Sequence, residues 1–185
     1  MGYIEGNNLV IEFRWAERPD ELPKLAADLV GMNVDVIFAP SSIQVEPARQ
    51  ATKTIPIVFA AHADPVGLGH VASLARPGGN VTGLSMMLTD LTAKQLEIAM
   101  EAMPYATRVG VLWDPATPSH ALALKALEAA GKKLEVKLQM VPASTLEEFD
   151  PAFTTMTTVH VDCFLAVPSV FAYSHRTFRA DEIIE

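Results

Sequence analysis

Residues 108–115 of the chain are Arg-Val-Gly-Val-Leu-Trp-Asp-Pro, a short apolar run that ends at an Asp-Pro pair. Such a run is typical of a buried strand, and the Asp-Pro pair marks its exit loop. Ser119 follows as a predicted helix N-cap, and apolar residues then recur at helical spacing as far as Ala130. Strand, loop and helix in this order predict one unit of a parallel α/β sheet.

The same alternation precedes this unit. The predicted strands are residues 9–15, 34–39, 55–61 and 81–84, and the predicted helices are residues 22–30 and 41–52. Asp20 is the expected N-cap of the first helix, and Ser41 has capping-box spacing to Gln44 at the start of the second. Pro47 is expected to kink or shorten that second helix.

The alternation of strands and helices also continues after residue 84. A helix capped by Thr89 or Asp90 precedes the strand at 109–113 and ends at Pro104, and further strands are predicted at 136–140 and 161–167. Between those two strands, Thr145 and Glu148 have capping-box spacing for a helix reaching about residue 158. A final helix is expected to begin near Ser169 or Ser174. The order predicts two α/β blocks with parallel sheets, divided near residues 84–90.

Composition and motifs exclude several classes of protein. Half of the residues are hydrophobic, 19% are charged and the net charge is −8, which excludes general disorder and argues against a nucleic-acid surface. Cys163 is the single cysteine, predicted to be a buried structural thiol. No apolar stretch approaches the ~18 residues of a membrane span, and the start of the chain has no signal-peptide pattern.

Catalytic motifs are missing from the chain. We find no dinucleotide fingerprint, P-loop, nucleophile elbow or zinc-protease motif, and the five histidines lack metal-ligand spacing. The sequence therefore predicts a protein that is not an enzyme and has no cofactor and no metal. A hydrolase or dehydrogenase on an α/β sheet remains as a minor alternative.

Ligands of open parallel sheets bind at the carboxyl ends of the strands, and four strand-exit loops, residues 40–42, 62–64, 113–117 and 168–171, are the candidates. The predicted ligand-binding residues in them are Ser41, Ser42, His62, Asp64, Asp114, Thr117, Ser169 and Phe171. Five of these residues have an ordinary alternative. Ser41 and Ser42 can be helix caps, Asp64 and Asp114 can form turns, and His62 can be structural.

Four segments, in order, resemble a known family. They are residues 2–9 (Gly-Tyr-Ile-Glu-Gly-Asn-Asn-Leu), 55–67 (Ile-Pro-Ile-Val-Phe, then Asp-Pro-Val-Gly), 75–85 (Ala-Arg-Pro-Gly-Gly-Asn-Val-Thr-Gly-Leu-Ser) and 108–115. Together they are similar to the substrate-binding proteins of ABC transporters. The resemblance implies a type I periplasmic-binding fold of two Rossmann-like lobes, here residues 1–85 and 86–185, with the ligand in the cleft between them.

The resemblance also implies a function. The chain is expected to be the solute-binding component of an ABC importer that reversibly binds a small molecule, an amino acid or similar carboxylate. The ligand's carboxylate is expected at Ser41 and Ser42, its amine near Asp64 or Asp114, and its apolar side chain near Phe171. The implied partners are the permease subunits of the transporter and not nucleic acid. The location is periplasmic by resemblance, or cytoplasmic if the chain is complete as given.

Departures from the family lead to further expectations. Family members begin with a leader and a further strand and helix, and continue beyond His175 and Arg176 with more second-lobe segments. The chain is therefore expected to be truncated at both ends, with open strand edges. A homodimer or strand-swapped assembly is predicted to cover those edges. A small-molecule sensor domain and a truncated remnant without a transport role are the alternatives.

Overall fold

The computed structural model of the chain describes residues 2–169. By its internal contacts the chain divides into two compact units, with the division between Ser85 and Met86. Each unit contains its own parallel sheet. The predicted α/β class with parallel sheets is confirmed in both units.

The first unit is built on a three-stranded parallel sheet of order β1-β2-β3. Its elements are a 3₁₀ turn (Pro19–Glu21), α1 (Leu22–Gly31), β1 (Ile37–Phe38), α2 (Ser42–Ala51), β2 (Ile57–His62) and β3 (Val81–Ser85). Ile57 of the central strand is in register with Ile37 on one side and Val81 on the other. All three side chains are buried, and Val45 of α2 packs on the same core.

The predicted strand at residues 9–15 is wrong. Residues 10–15 belong to no strand or helix, and Val10, Phe13 and Trp15 are exposed. A strand forms only where a neighbour accepts and donates backbone hydrogen bonds. Among the described residues no strand pairs with this segment, so its alternating apolar pattern has no sheet to join.

Several predicted helix and strand ends in the first unit differ in the structure. Asp20 does not cap α1, because it lies inside the 3₁₀ turn and its carboxylate pairs with Arg18 at 3.0 Å. The strand predicted at 34–39 is paired only at Ile37–Phe38. Helix α2 continues through Pro47 to Ala51, so Pro47 does not shorten it.

The second unit has a three-stranded parallel sheet of order β5-β4-β6. Its elements are α3 (Leu88–Ala102), β4 (Arg108–Trp113), α4 (His120–Lys133), β5 (Lys137–Pro142), a 3₁₀ turn (Leu146–Glu148), α5 (Phe149–Thr158) and β6 (Cys163–Ala166). The central strand β4 has four consecutive buried residues, 109–112. This confirms the buried parallel strand predicted from the apolar run.

The predicted N-cap of α3 is wrong, and the capping box predicted before α5 is confirmed. Neither Thr89 nor Asp90 caps α3, because the helix begins at Leu88 and Met87 occupies the N-cap position with a φ of 50°. The capping box of Thr145 and Glu148 is confirmed and leads through the 3₁₀ turn into α5. Of the final helix predicted near residues 169–174, only residue 169 lies within the described residues.

Candidate functional site

In the first unit, the loop at residues 40–42 lies beside the end of β2. The Ala61 N–H donates to the Pro40 carbonyl at 3.0 Å, and Ser41 forms an isolated parallel bridge with Ala61. The Ser41 N–H donates to Gln44 Oε1 at 3.1 Å and the Ser41 hydroxyl oxygen accepts from the Gln44 N–H, which confirms the predicted capping box. The Ser41 hydroxyl also donates to Gln44 Oε1 at 2.6 Å. The start of α2 is thereby held against the exit of β2.

Behind this helix start, polar side chains form a chain of contacts. Ser42 Oγ lies 3.4 Å from His62 Nδ1, and it also accepts a hydrogen bond from the Ala63 N–H at 2.9 Å. His62 Nε2 lies 2.7 Å from His70 Nδ1. His70 Nε2 lies 3.2 Å from Glu46 Oε2. We call this set, Ser42, His62, His70 and Glu46, the Ser-His-His-Glu chain.

Burial keeps the two histidines of this chain neutral. His62 is fully buried, and its ring edge contacts Phe59. Burial, reinforced by the neighbouring His70 and opposed by Asp64, lowers the pKa of His62 to about 4. Burial also lowers the pKa of His70, although the Glu46 carboxylate opposes this. Burial raises the pKa of Glu46, but hydrogen bonds from Gln50 and Arg49 outweigh it, so the net pKa is lowered.

Asp64 forms a turn at the exit of β2. Its Oδ1 accepts a hydrogen bond from the Gly67 N–H at 2.7 Å, and its carbonyl accepts one from the Leu68 N–H at 3.1 Å. This is the turn-forming role that the residue type favours. The prediction that Asp64 contacts a ligand amine stays a prediction.

In the second unit, Asp114 organises the loop that leaves β4. The residue is only 8% exposed, and its carboxylate accepts three hydrogen bonds. The donors are the Ala116 N–H at 2.9 Å, the Thr117 hydroxyl at 2.9 Å and the Ser144 hydroxyl at 2.7 Å. Two predicted site residues, Asp114 and Thr117, are therefore in direct contact. Ser144 ties the β5 exit to the same carboxylate.

His120 joins the exits of two strands in this unit. Its Nδ1 accepts a hydrogen bond from the Asp114 N–H at 3.0 Å, so the neutral ring carries its hydrogen on Nε2, which donates to the Pro168 carbonyl at 3.0 Å. Burial lowers the pKa of His120, opposed by that hydrogen bond and by Asp114. The ring is therefore a neutral link between the end of β4 and the segment after β6.

Two buried donors at the same end of β4 have no hydrogen-bond partner within residues 2–169. They are Trp113 Nε1 and Ser119 Oγ. Ser119 occupies the predicted N-cap position of α4, but its hydroxyl makes no capping hydrogen bond. Buried polar groups are nearly always paired, and an unpaired one costs roughly 1–3 kcal/mol. This end of β4 therefore combines a satisfied carboxylate with two unsatisfied donors.

The structure brings the predicted residues together within each unit. Ser42 contacts His62 in the first unit, and Asp114 contacts Thr117 in the second. Ser169 is half-buried directly after Pro168, and Phe171 lies outside the described residues. Four partners of these residues were not predicted from the sequence: His70, Glu46, His120 and Ser144. Their spacing along the chain carries no signal, because the contacts depend on the sheet.

Other features of the described chain lie away from these loops. A shallow groove runs along α5 and is lined by residues such as Phe153 and His160, none of which was a predicted site residue. Cys163 is half-buried, and burial raises the pKa of its thiol. Within residues 2–169, no group of three or more His, Cys, Asp or Glu side chains could hold a metal ion. No helix among them is long and apolar enough to cross a membrane.

Solved structures share this architecture. A conserved domain protein from Vibrio cholerae O1 biovar El Tor is 31% identical with a TM-score of 0.77, covering 88% of this chain and 54% of that chain. The ABC domain from Streptococcus pneumonia, solved in complex with L-Trp, is 23% identical with a TM-score of 0.79, covering 95% and 59%. The likeness shows the type I fold of periplasmic binding proteins, as the resemblance implied.

The family follows from sequence comparison. The ABC transporter substrate binding protein family matches residues 1–175, and the chain belongs to that family. A tyrosine-binding protein of Clostridioides difficile (strain R20291) is 32% identical over 158 residues, covering 84% of this chain and 45% of that protein. The chain therefore spans about half the length of these relatives.

Proposed function

We propose that this chain is the solute-binding component of an ABC importer and that it binds an amino acid or a similar small carboxylate. The observation that carries the proposal is the family match over residues 1–175. The tyrosine-binding relative and the structure in complex with L-Trp support an amino acid as the ligand class. A binding protein and a domain solved with an amino acid bound both fit reversible binding without bond chemistry.

The start of α2 suits a carboxylate. The first N–H groups of a helix have no partner within the helix, and the helix dipole favours negative charge there. Ser41 and Ser42 add hydroxyl groups at this end, which the bond between Ala61 and Pro40 holds beside the β2 exit. The proposal places the ligand's carboxylate against this helix start.

The exit of β4 suits the polar groups of a ligand for a different reason. Trp113 Nε1 and Ser119 Oγ have no hydrogen-bond partner in the described part of the chain, and a ligand acceptor or a water molecule would satisfy them. Asp114 already accepts three hydrogen bonds, so we propose that it holds the loop in place. Its contact with a ligand amine, and those of Ser169 and Phe171, remain proposals. So does the cleft location that the family implies.

Isothermal titration with a library of the twenty amino acids tests the function. Binding with measurable heat and a matching thermal shift is expected for at least one of them. No heat and no thermal shift in a folded sample would contradict ligand binding and favour a remnant without a transport role.

The family is normally periplasmic or extracellular, and we propose that location for this protein. Fractionation of cells expressing the gene from its own genomic context tests the proposal. Recovery with the periplasmic or secreted fraction is expected. Recovery with cytoplasmic markers alone would contradict it.

We also propose that a second copy of this chain covers the exposed apolar segment at residues 10–15. Val10 is 77% exposed and Trp15 is 82% exposed, and the Phe13 and Trp15 rings stack at 6.1 Å. In the described chain this segment has no strand partner, and β1 pairs with β2 alone. Exposed apolar groups and open strand edges both favour self-association.

Light scattering at roughly tens of micromolar, the range of weak association, tests this assembly. A dimer is expected for the natural chain, with loss of the dimer in Trp15→Ser. Tyr105→Ser, which changes an equally exposed aromatic side chain in the second unit, should leave the dimer intact. A clean monomer of the natural chain would refute the assembly.

A further inference from the structure

The Ser-His-His-Glu chain has a defined direction when both histidines are neutral. A carboxylate only accepts, so His70 Nε2 carries a hydrogen and donates to Glu46. The other nitrogen of a neutral His70, Nδ1, is then an acceptor, and His62 Nε2 must donate to it across 2.7 Å. His62 Nδ1 is left as an acceptor, which faces the Ser42 hydroxyl.

The Ser42 oxygen completes this arrangement. It accepts the Ala63 N–H at 2.9 Å, so its own hydrogen is available for His62 Nδ1. Every donor in the set then has an acceptor, from Ser42 through both rings to Glu46. In this state the Ser42 hydroxyl hydrogen points into the protein and is not available to a ligand.

One added proton reverses the direction of the hydrogen bond between Ser42 and His62 Nδ1. The proton can sit on either ring, because His62 Nε2 and His70 Nδ1 share one short contact and need one hydrogen between them. In both placements His62 Nδ1 gains a hydrogen and donates to Ser42 Oγ. The oxygen then accepts from both His62 and the Ala63 N–H, and the hydroxyl hydrogen must find a different acceptor.

We propose that His62, His70 and Glu46 position the Ser42 hydroxyl, and that uptake of one proton by the histidine pair releases this hydroxyl to donate to a bound ligand. The three residues are positioning residues that act on ligand binding through Ser42. Ser42 itself is 8% exposed, so a small part of it reaches the surface at the start of α2.

The charged groups around the pair come from two elements. From α2, the Glu46 carboxylate contacts His70 directly, and Arg49 pairs with Glu46 at 2.9 Å. From the loop after β2, Asp64 acts on His62 through its charge. Phe59 contributes an uncharged ring edge from β2. Glu46 and Asp64 favour the added proton, whereas burial and Arg49 oppose it.

Side-chain nitrogen NMR of the ¹⁵N-labelled full chain tests the proton-dependent positioning of the Ser42 hydroxyl without any ligand. At pH 7.5, His62 should carry its hydrogen on Nε2, with Nδ1 unprotonated. As the pH falls, His62 Nδ1 should become protonated when the pair takes up its proton. Nδ1 protonated at pH 7.5, or unprotonated after the pair has taken up a proton, would overturn the inference. His120, whose tautomer is set by Asp114 and Pro168, is the internal reference.

A variant separates positioning from a merely structural role. Glu46→Gln keeps a hydrogen-bonding side chain but removes the charge that favours the added proton, so protonation of His62 Nδ1 should move to lower pH. Glu97→Gln removes a half-buried carboxylate, paired with Lys94, from α3 in the other unit and should not change the pH at which His62 Nδ1 is protonated. If His62 Nδ1 becomes protonated at the same pH in both variants, Glu46 does not take part in positioning the Ser42 hydroxyl.

The consequence for ligand binding rests on the proposed function. For an amino acid found by titration, the affinity of the chain should rise about tenfold as the histidine pair becomes protonated. One added hydrogen bond to a charged group has an effect of this size. Ser42→Ala should abolish this pH dependence. If NMR shows that the Ser42–His62 hydrogen bond reverses but no amino acid binds, the proposed function is refuted. The proton-dependent positioning of the Ser42 hydroxyl would then still stand. Binding whose pH dependence survives in Ser42→Ala would overturn the role of the hydroxyl.

Discussion

Replacing Asp114 by alanine tests whether this residue mainly holds its loop. The substitution removes the acceptor of three hydrogen bonds, from Ala116, Thr117 and Ser144. A hydrogen bond to a charged group contributes roughly 1.5–3 kcal/mol, and each buried donor left unpaired costs roughly 1–3 kcal/mol. Water can reach the backbone and the half-buried hydroxyls in part, so we expect a loss of about 3 kcal/mol in the free energy of unfolding.

Urea unfolding followed by circular dichroism and tryptophan fluorescence measures this loss, and the adjacent Trp113 provides a local signal. Asp114→Asn keeps one carbonyl acceptor and should cost about 1 kcal/mol. Glu128→Ala, an exposed carboxylate on α4, should change stability by less than about 0.5 kcal/mol. If Asp114→Ala matched Glu128→Ala in stability but abolished ligand binding, the loop-holding reading would be refuted and a direct ligand contact favoured.

Three further predictions concern the cores of the two units and their response to pH. Gly83→Ala should destabilise the first unit by about 2 kcal/mol or more in urea unfolding, because Gly83 has a φ of 155° and a Cβ there would overlap a backbone oxygen of β2. Gly79→Ala, with open space around its Cβ, is the control, and equal stability of the two variants would contradict the steric argument. Leu127→Ala should cost 2–5 kcal/mol, since the side chain is fully buried, and a cost below about 1 kcal/mol would show that it is not. The folded pKa values of His62 and His120 lie below the ordinary value near 6.5, so the unfolded chain binds more protons. Stability is therefore full above pH 6.5 and should fall as the pH drops below it, toward about 4 for His62, with a slope of up to about 1.4 kcal/mol per pH unit for each group. Equal stability at pH 7.5 and pH 5 would contradict the lowered pKa values.

Local features of the sequence were sufficient for most of the fold. Apolar runs of strand length and apolar faces of helical spacing depend on neighbouring residues, and they placed all six strands and all five α-helices of the described chain. The two capping boxes at Ser41 and Thr145 are local for the same reason, since donor and acceptor lie three residues apart. The class of the fold and the strand exits that make up the candidate site followed from this order.

Local pattern failed where an element depends on a partner. Residues 9–15 alternate as a strand should, yet they form none, because pairing requires a neighbouring strand in register. Asp20 has the right residue type for a cap, but the chain enters α1 through a 3₁₀ turn that places Asp20 inside it. For residues 9–15 the outcome depended on a partner strand, and for Asp20 it depended on the 3₁₀ turn that precedes α1.

The sequence by itself determined the α/β class, the strand and helix order and the loops in which a ligand site would lie. Only the tertiary structure decided which polar side chains meet there. His62 reaches His70 across eight residues, and Asp114 reaches Ser144 across thirty. These contacts exist because parallel strands bring their carboxyl ends to one edge of each sheet. Burial at that edge then sets the charge of each histidine, which no spacing along the chain records.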